Sequence, residues 1–185
     1  TGKNQYRYHA LFKEFLERRF MGQEEQFLLL HKRCARWYMK QRDILPAISH
    51  FEKIGDYSSI GVLIHEHGIQ LMEQGQLSYV LEKLLRISDE IKVRYYMLWY
   101  IQGEILRYRC HYEESENAYS NGLGAARKSG DVLVIIRSLK GIAKIYLDTI
   151  QPIKAERVLS EAIMLLESCP IEKKEENQLY AIMAE

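Results

Sequence analysis

Four scarcities bound this 185-residue chain before any motif is read. Proline occurs three times, at Pro46, Pro152 and Pro170, each beside an expected helix start or stop, so little interrupts helix anywhere else. Cysteine also occurs three times, and Cys34, Cys110 and Cys169 are odd in number and far apart. That argues against a disulfide framework or a paired Cys-x-x-Cys metal site and fits a reducing compartment. Long apolar runs are missing: the longest, Phe27 to Leu30 and Val132 to Ile136, fall far short of a bilayer span. No basic leader followed by an apolar core opens the chain, so the expectation is a soluble, unsecreted, cytoplasmic protein. Net charge is nearly absent at +1, which removes whole-surface attraction to nucleic acid or anionic membrane as a driving force.

What is present is apolar residue in quantity and charge unevenly placed. A hydrophobic share of 47% over 185 residues can build one large core or two small ones, and it excludes disorder as the default state. Residues 1–42 hold ten Lys/Arg against four Asp/Glu, and residues 43–185 hold sixteen against twenty-one, so the two ends carry opposite fields.

Apolar residues recur three and four apart in Phe27, Leu30, Cys34, Trp37 and Tyr38, in Ile60, Leu63, Ile64, Ile69 and Met72, and in Leu98, Ile101, Ile105 and Tyr108. This spacing predicts helices. Strand-like alternation is confined to Tyr6 to Tyr8. Breaks are expected at 41–43, 55–56, 75–76, 88–93, 111, 129–131, 149–151 and 168–171, which cuts the chain into eight or more helices of ordinary length.

The helices repeat. Ala35, Gly68, Gly103 and Gly141 form a column of small residues spaced 33, 35 and 38 apart. A second column, Ala47, Val80, Ser115 and Ala155, follows after twelve, twelve, twelve and fourteen residues. Phe51, Leu84, Tyr119 and Leu159 come four later, and Ile54, Ile87, Gly122 and Ala162 three later still. Each unit is therefore two helices and a turn, and self-similarity at this period implies a solenoid. A small residue inside the first helix lets the second approach closely, and a large residue from the second fills the space beside it. Glycine inside a helix costs about 1 kcal/mol relative to alanine, so close packing has to offset it.

Trp99, Gly103 and Tyr119 stand where the tetratricopeptide pattern W-x2-L-G-x2-Y…A-x3-F has its Trp, Gly and Phe, with departures at Gln102, Leu106 and Ser115. The chain thus resembles degenerate tetratricopeptide repeats over roughly residues 24–168. The resemblance implies an all-α fold, a superhelix of antiparallel helix pairs with a concave, ligand-accepting face.

The opening stretch Arg7-Tyr8-His9-Ala10-Leu11-Phe12-Lys13-Glu14-Phe15-Leu16 is similar to the "RYH-x-LF-x-x-FL" signature of the large MalT-like regulators of the LuxR family, of the STAND ATPase type. Further landmarks follow in order: His31, Ala35, Trp37 and Tyr38 for "H-x-x-A-x-W-Y", Ala47, Ile48 and His50 for "A-I-x-H", then Gly55-Asp56. The resemblance implies that residues 1–23 end a winged-helix-like domain and connect it to a helical repeat domain over 24–185. Tyr6 to Tyr8 would be the last strand of that domain. It further implies a sensor and protein-interaction segment of an ATP-dependent transcriptional regulator, binding an inducer or partner and relaying it to ATPase and DNA-binding domains. A phosphate loop G-x-x-x-x-G-K-[ST] and a recognisable helix-turn-helix are missing from these residues, and both ends of the sequence look cut. The expectation is a fragment without bound cofactor and without direct nucleic-acid binding. The alternative reading is a stand-alone tetratricopeptide peptide-binding adaptor or pheromone receptor.

Candidate sites follow from the repeat geometry. If the units pack in the tetratricopeptide manner, positions three before and one, four and five after the small-residue column face the groove. Those include Lys32, Arg36, Met39, Lys40, His65, Met72, Tyr100, Glu104, Arg107 and Tyr108. They would face an inducer, a peptide or a partner protein, or equally pack within the array. Lys32, Arg36 and Lys40 share one helix face with Arg33 and Arg42 close by, a pattern that holds phosphate or carboxylate, docks a partner domain, pairs with the acidic second half of the chain, or is simply solvated. His65-Glu66-His67 lacks the H-E-x-x-H spacing of a zinc helix, because position 69 is Ile and residues 65 and 67 diverge around the helix. Nothing else in the sequence composes a nucleophile, base and orienting group, so the chain is expected not to be an enzyme and to hold no metal.

Overall fold

The structure, a computed structural model, describes Glu14 and residues 24–168, and the chain forms two compact units, Thr1–Ile60 and Gly61–Glu185. The strand expected at Tyr6 to Tyr8 and the end of a preceding domain expected in 1–23 lie outside the described residues, Glu14 excepted. Among the described residues nine helices follow one another: α1 (Glu24–Lys40), α2 (Ile44–Lys53), α3 (Tyr57–Glu73), α4 (Leu77–Arg86), α5 (Asp89–Arg94), α6 (Met97–Tyr108), α7 (Tyr112–Ser129), α8 (Val132–Asp148) and α9 (Pro152–Ser168). Among the described residues there is no strand, so the fold is all-α.

Six of the helices end by one device: α2 and α7 close at Gly55 (φ 67°) and Gly130 (76°), where the amides of Asp56 and Asp131 donate to the carbonyls of Phe51 and Ala126 at 3.0 and 3.1 Å. After α1, α3, α6 and α8 a single residue turns left-handed: Arg42 (φ 59°), Gly75 (79°), Cys110 (60°) and Ile150 (56°). The next amide, of Asp43, Gln76, His111 and Gln151, then donates to the carbonyl of Tyr38, Leu71, Leu106 and Tyr146 at 2.7 to 3.0 Å. This closes the last turn, satisfies otherwise orphaned carbonyls and reverses the chain. Gly55, Gly75 and Gly130 adopt that backbone without a Cβ penalty, which Arg42, Cys110 and Ile150 carry. Arg42, Gly75 and Cys110 lie seven residues after the small-residue column and Ile150 nine, so the turn belongs to the repeat. Restarts use aspartate. Asp56 accepts from the Ser59 amide at 3.0 Å and Asp131 from the Val134 amide at 3.1 Å, which supplies the acceptor that the first turns of α3 and α8 lack.

Such short turns lay neighbouring helices together. In the first unit α1 packs on α2; in the second α6 packs on α7, α7 on α8 and α8 on α9, while α6 also meets α8 and receives α4 and α5. The columns read from the sequence are what these contacts bury, with Ile54 alone half-exposed. A Cβ added at Gly103 would come within 2.7 Å of the Tyr119 ring, one at Gly141 would overlap the same ring, and one at Gly68 would meet Ile101 at 2.6 Å. Tyr119 is fully buried between those two glycine helices, α6 and α8. Burying such a side chain contributes roughly 1.5–3 kcal/mol, which outweighs the cost of one helical glycine. A continuous apolar core runs on through Ala126, Val134, Ile136, Leu139, Ala143, Leu159 and Ala162 of α7, α8 and α9.

One expected break is a helix. Residues 88–93 read as an interruption, yet α5 occupies Asp89–Arg94, with Ser88 extended just before it and Asp89 and Glu90 in its first turn, where the helix dipole favours acids. Lys92 anchors it. Its ammonium donates to Gln102 at 2.9 Å and lies 4.4 Å above the Trp99 ring, so the departure from the repeat pattern at Gln102 is an acceptor for a buried lysine. The departure at Ser115 is similar, since its hydroxyl donates to the Gly103 carbonyl at 2.8 Å. No helix among the described residues is long and apolar enough to cross a membrane.

Candidate functional site

In the first unit the sequence landmarks meet one another. Ala35 of α1 and Ala47 of α2 are fully buried, which brings His31 Nδ1 and His50 Nδ1 to 2.7 Å. Tyr38 stacks on His50 with ring centroids 5.5 Å apart, and Phe27 lies 4.3 Å from His31. At that separation one imidazole nitrogen donates and the other accepts. These residues hold α1 against α2.

The cations of α1 do something else. Lys32, Arg33, Arg36, Lys40 and Arg42 are exposed and make no ion pair among the described residues, and Trp37 among them is 54% exposed. Three of the sites expected from the sequence, Lys32, Arg36 and Lys40, are therefore solvated side chains on one helix. Met39 is exposed with them.

In the second unit the structure gathers charge inside. Tyr100, Glu104 and Arg107 rise along one face of α6, with Tyr108 beside them. Glu104 is buried and its Oε1 accepts the Tyr119 hydroxyl at 2.5 Å, while its Oε2 lies 3.7 Å from Arg107. Arg107 reaches across to Asp148 of α8 at 3.3 Å and sits 4.7 Å above the exposed ring of Tyr108. Its side chain is 12% exposed, and its Nε is buried with no hydrogen-bond partner. Lys140, Lys144 and Asp148 lie four residues apart on α8, so they share the face turned to this group.

Electrostatics follow from that burial. Burial, with the Glu104 carboxylate next to it, pushes the Tyr119 hydroxyl far above the ordinary range, which leaves it a donor at any physiological pH. Burial pulls the Arg107 guanidinium down, but Glu104, Tyr119 and Asp148 outweigh it and hold Arg107 above its ordinary value. Lys144 goes the other way. Half-buried, it is lowered by desolvation, with Glu104 and Asp148 opposing and Arg107 and Lys140 assisting. On the outer side of α8 the Tyr146 hydroxyl donates to Glu116 at 2.6 Å and is pushed up to about 12 by that bond.

Of the ten candidate residues, Tyr100, Glu104 and Arg107 come together with Tyr108 at the edge. His65 does not join them: it is exposed and 5.4 Å from the Tyr95 ring, while His67 leans toward Glu66 at 3.8 Å. Met72 is half-buried near the end of α3. Tyr119 entered as a packing residue and proves to be a hydrogen-bond donor as well. Lys140, Lys144 and Asp148 were missed; their i, i+4, i+8 spacing on a helix with a glycine at 141 was the signal available.

No family model matches the chain, and no solved structure matches it. The chain is 29% identical over 92 residues to the HTH-type transcriptional regulator MalT of Vibrio parahaemolyticus serotype O3:K6 (strain RIMD 2210633), across 48% of this chain and 10% of that protein. The chain thus spans about a tenth of that relative's length, and it is a helical segment distantly related to a transcriptional regulator.

Proposed function

We propose that this chain is the helical-repeat sensor and interaction segment of a MalT-like, ATP-dependent transcriptional regulator. Its helix pairs wind as a tetratricopeptide-like superhelix, and an inducer or partner bound on the concave face changes how the segment engages an ATPase module of the same protein in the cytoplasm. The segment itself is not an enzyme. The observation that carries the reading is the charged cluster of α6, α7 and α8. Apolar residues would pack those positions at lower cost, because buried ions contribute little net stability unless fully paired. Charge kept at such positions is a marker of binding sites. The similarity to MalT supports the regulator part. For the bound molecule to signal, it has to favour one state of the segment over another, because equal affinity for both shifts nothing.

The test is the complete reading frame. A phosphate loop encoded upstream and a helix-turn-helix downstream are the expected result. Their joint absence points instead to a stand-alone peptide-binding adaptor or pheromone receptor.

A further inference from the structure

Resting on the sensor reading above and sharpening it, we infer that the α6–α8 cluster is an anion site, and that Lys144 receives a carboxylate or phosphate group of the bound molecule. Both carboxylates of the cluster are already engaged. Glu104 holds the Tyr119 hydroxyl at 2.5 Å and faces Arg107 at 3.7 Å, and Asp148 takes the other end of the same guanidinium at 3.3 Å. Arg107 bridges α6 to α8 and leaves Lys144 without a carboxylate of its own: the ammonium makes no ion pair or hydrogen bond among the described residues, although it is half-buried. A half-buried cation keeps its charge at a cost unless an anion joins it. The Nε of Arg107, in the same cluster, is a second donor without an acceptor.

The surroundings grade from closed to open. Glu104, Tyr100 and Lys140 are buried, Arg107 nearly so, and Lys144, Asp148 and Tyr108 reach solvent. An acidic group reaching this cluster finds the Lys144 ammonium without a partner among the described residues, while Asp148, 37% exposed, repels a second negative charge. The cations of α1 do not compete for this role, since they are exposed and make no ion pair among the described residues.

Calorimetric titration of the 185-residue chain with inorganic phosphate, with succinate and with neutral glycerol tests the site. Saturable binding of phosphate or succinate and none of glycerol is expected, and the tighter of the two names the ligand's acidic group. Lys144→Met should weaken that binding by about tenfold or more, the worth of one charge-assisted hydrogen bond, while a Lys32→Ala, Arg36→Ala, Lys40→Ala variant binds as the parent does. A lack of binding by both anions, equal binding by Lys144→Met, or loss in the α1 variant would overturn the assignment. Should Lys144→Met not fold, the Lys144 side-chain resonances of the parent chain must shift on titration, and constancy overturns it equally. A reading frame without a phosphate loop and helix-turn-helix would end the regulator reading and leave this site standing; silent titrations would do the reverse.

Discussion

The helices α1 and α6 carry their notable residues at the same offsets from the small-residue column, yet the two surroundings are opposite. Lys32, Arg36 and Lys40 precede or follow Ala35 as Tyr100, Glu104 and Tyr108 do Gly103. On α1 the three cations are exposed and make no ion pair among the described residues; on α6 Tyr100 and Glu104 are buried, and Glu104 is bonded to a tyrosine from the next helix. The difference is a neighbour. Within its own unit α1 meets α2, whereas α6 meets α7 and has α8 laid on it as well, bringing Lys140, Lys144 and Asp148. A repeat offset states which direction a side chain leaves its helix, and what it finds there depends on the helix that arrives.

That contrast can be broken first at Tyr119. Tyr119→Ala removes a fully buried ring wedged against Gly103 and Gly141, and should cost about 3–5 kcal/mol in urea unfolding. Tyr119→Phe separates packing from polarity: the ring stays, Glu104 loses its donor, and about 1–3 kcal/mol should go. If Tyr119→Phe proves neutral, the buried cluster is not a network and the contrast with α1 shrinks to depth alone.

A smaller effect should come from Lys144 through pH. Its folded pKa lies below the unfolded one because burial disfavours the ammonium. As pH rises through the folded value toward the ordinary lysine range, the unfolded chain holds more protons, so stability increases with pH across that window. Lys144→Met should flatten this rise between the slopes of parallel denaturation series. An unchanged slope would mean that Lys144 is as well hydrated as the α1 cations. The smallest effect belongs to α1 itself: alanine at Lys32, Arg36 and Lys40 together should leave the melting temperature unmoved, since exposed charges without partners contribute nothing to folding. A clear drop in melting temperature would put them in a structural role.

The all-α build and most helix boundaries were legible in the residues. The four columns are buried in the structure except at Ile54, and turns expected around 42, 75, 111, 130 and 150 all occur. The short helix α5 was hidden because six residues cannot display a full period, and only Ser88, Asp89 and Glu90 marked it. The site was half legible. Tyr100, Glu104 and Arg107 follow from one helix read alone, while Lys140, Lys144 and Asp148 matter only once α8 is placed against α6. Conversely, His65 satisfied the same offset rule and ended exposed on α3, away from the cluster.

By itself the order of residues determined where helices begin, turn and end, and which of their faces are apolar. Those are local properties, set within a few residues by backbone hydrogen bonding and the 3.6-residue period. Only the tertiary structure decided which charges leave water and which carboxylate Arg107 shares between α6 and α8. Burial and pairing depend on groups about forty residues apart in the chain, 107 and 148, whose separation is set by packing rather than by spacing.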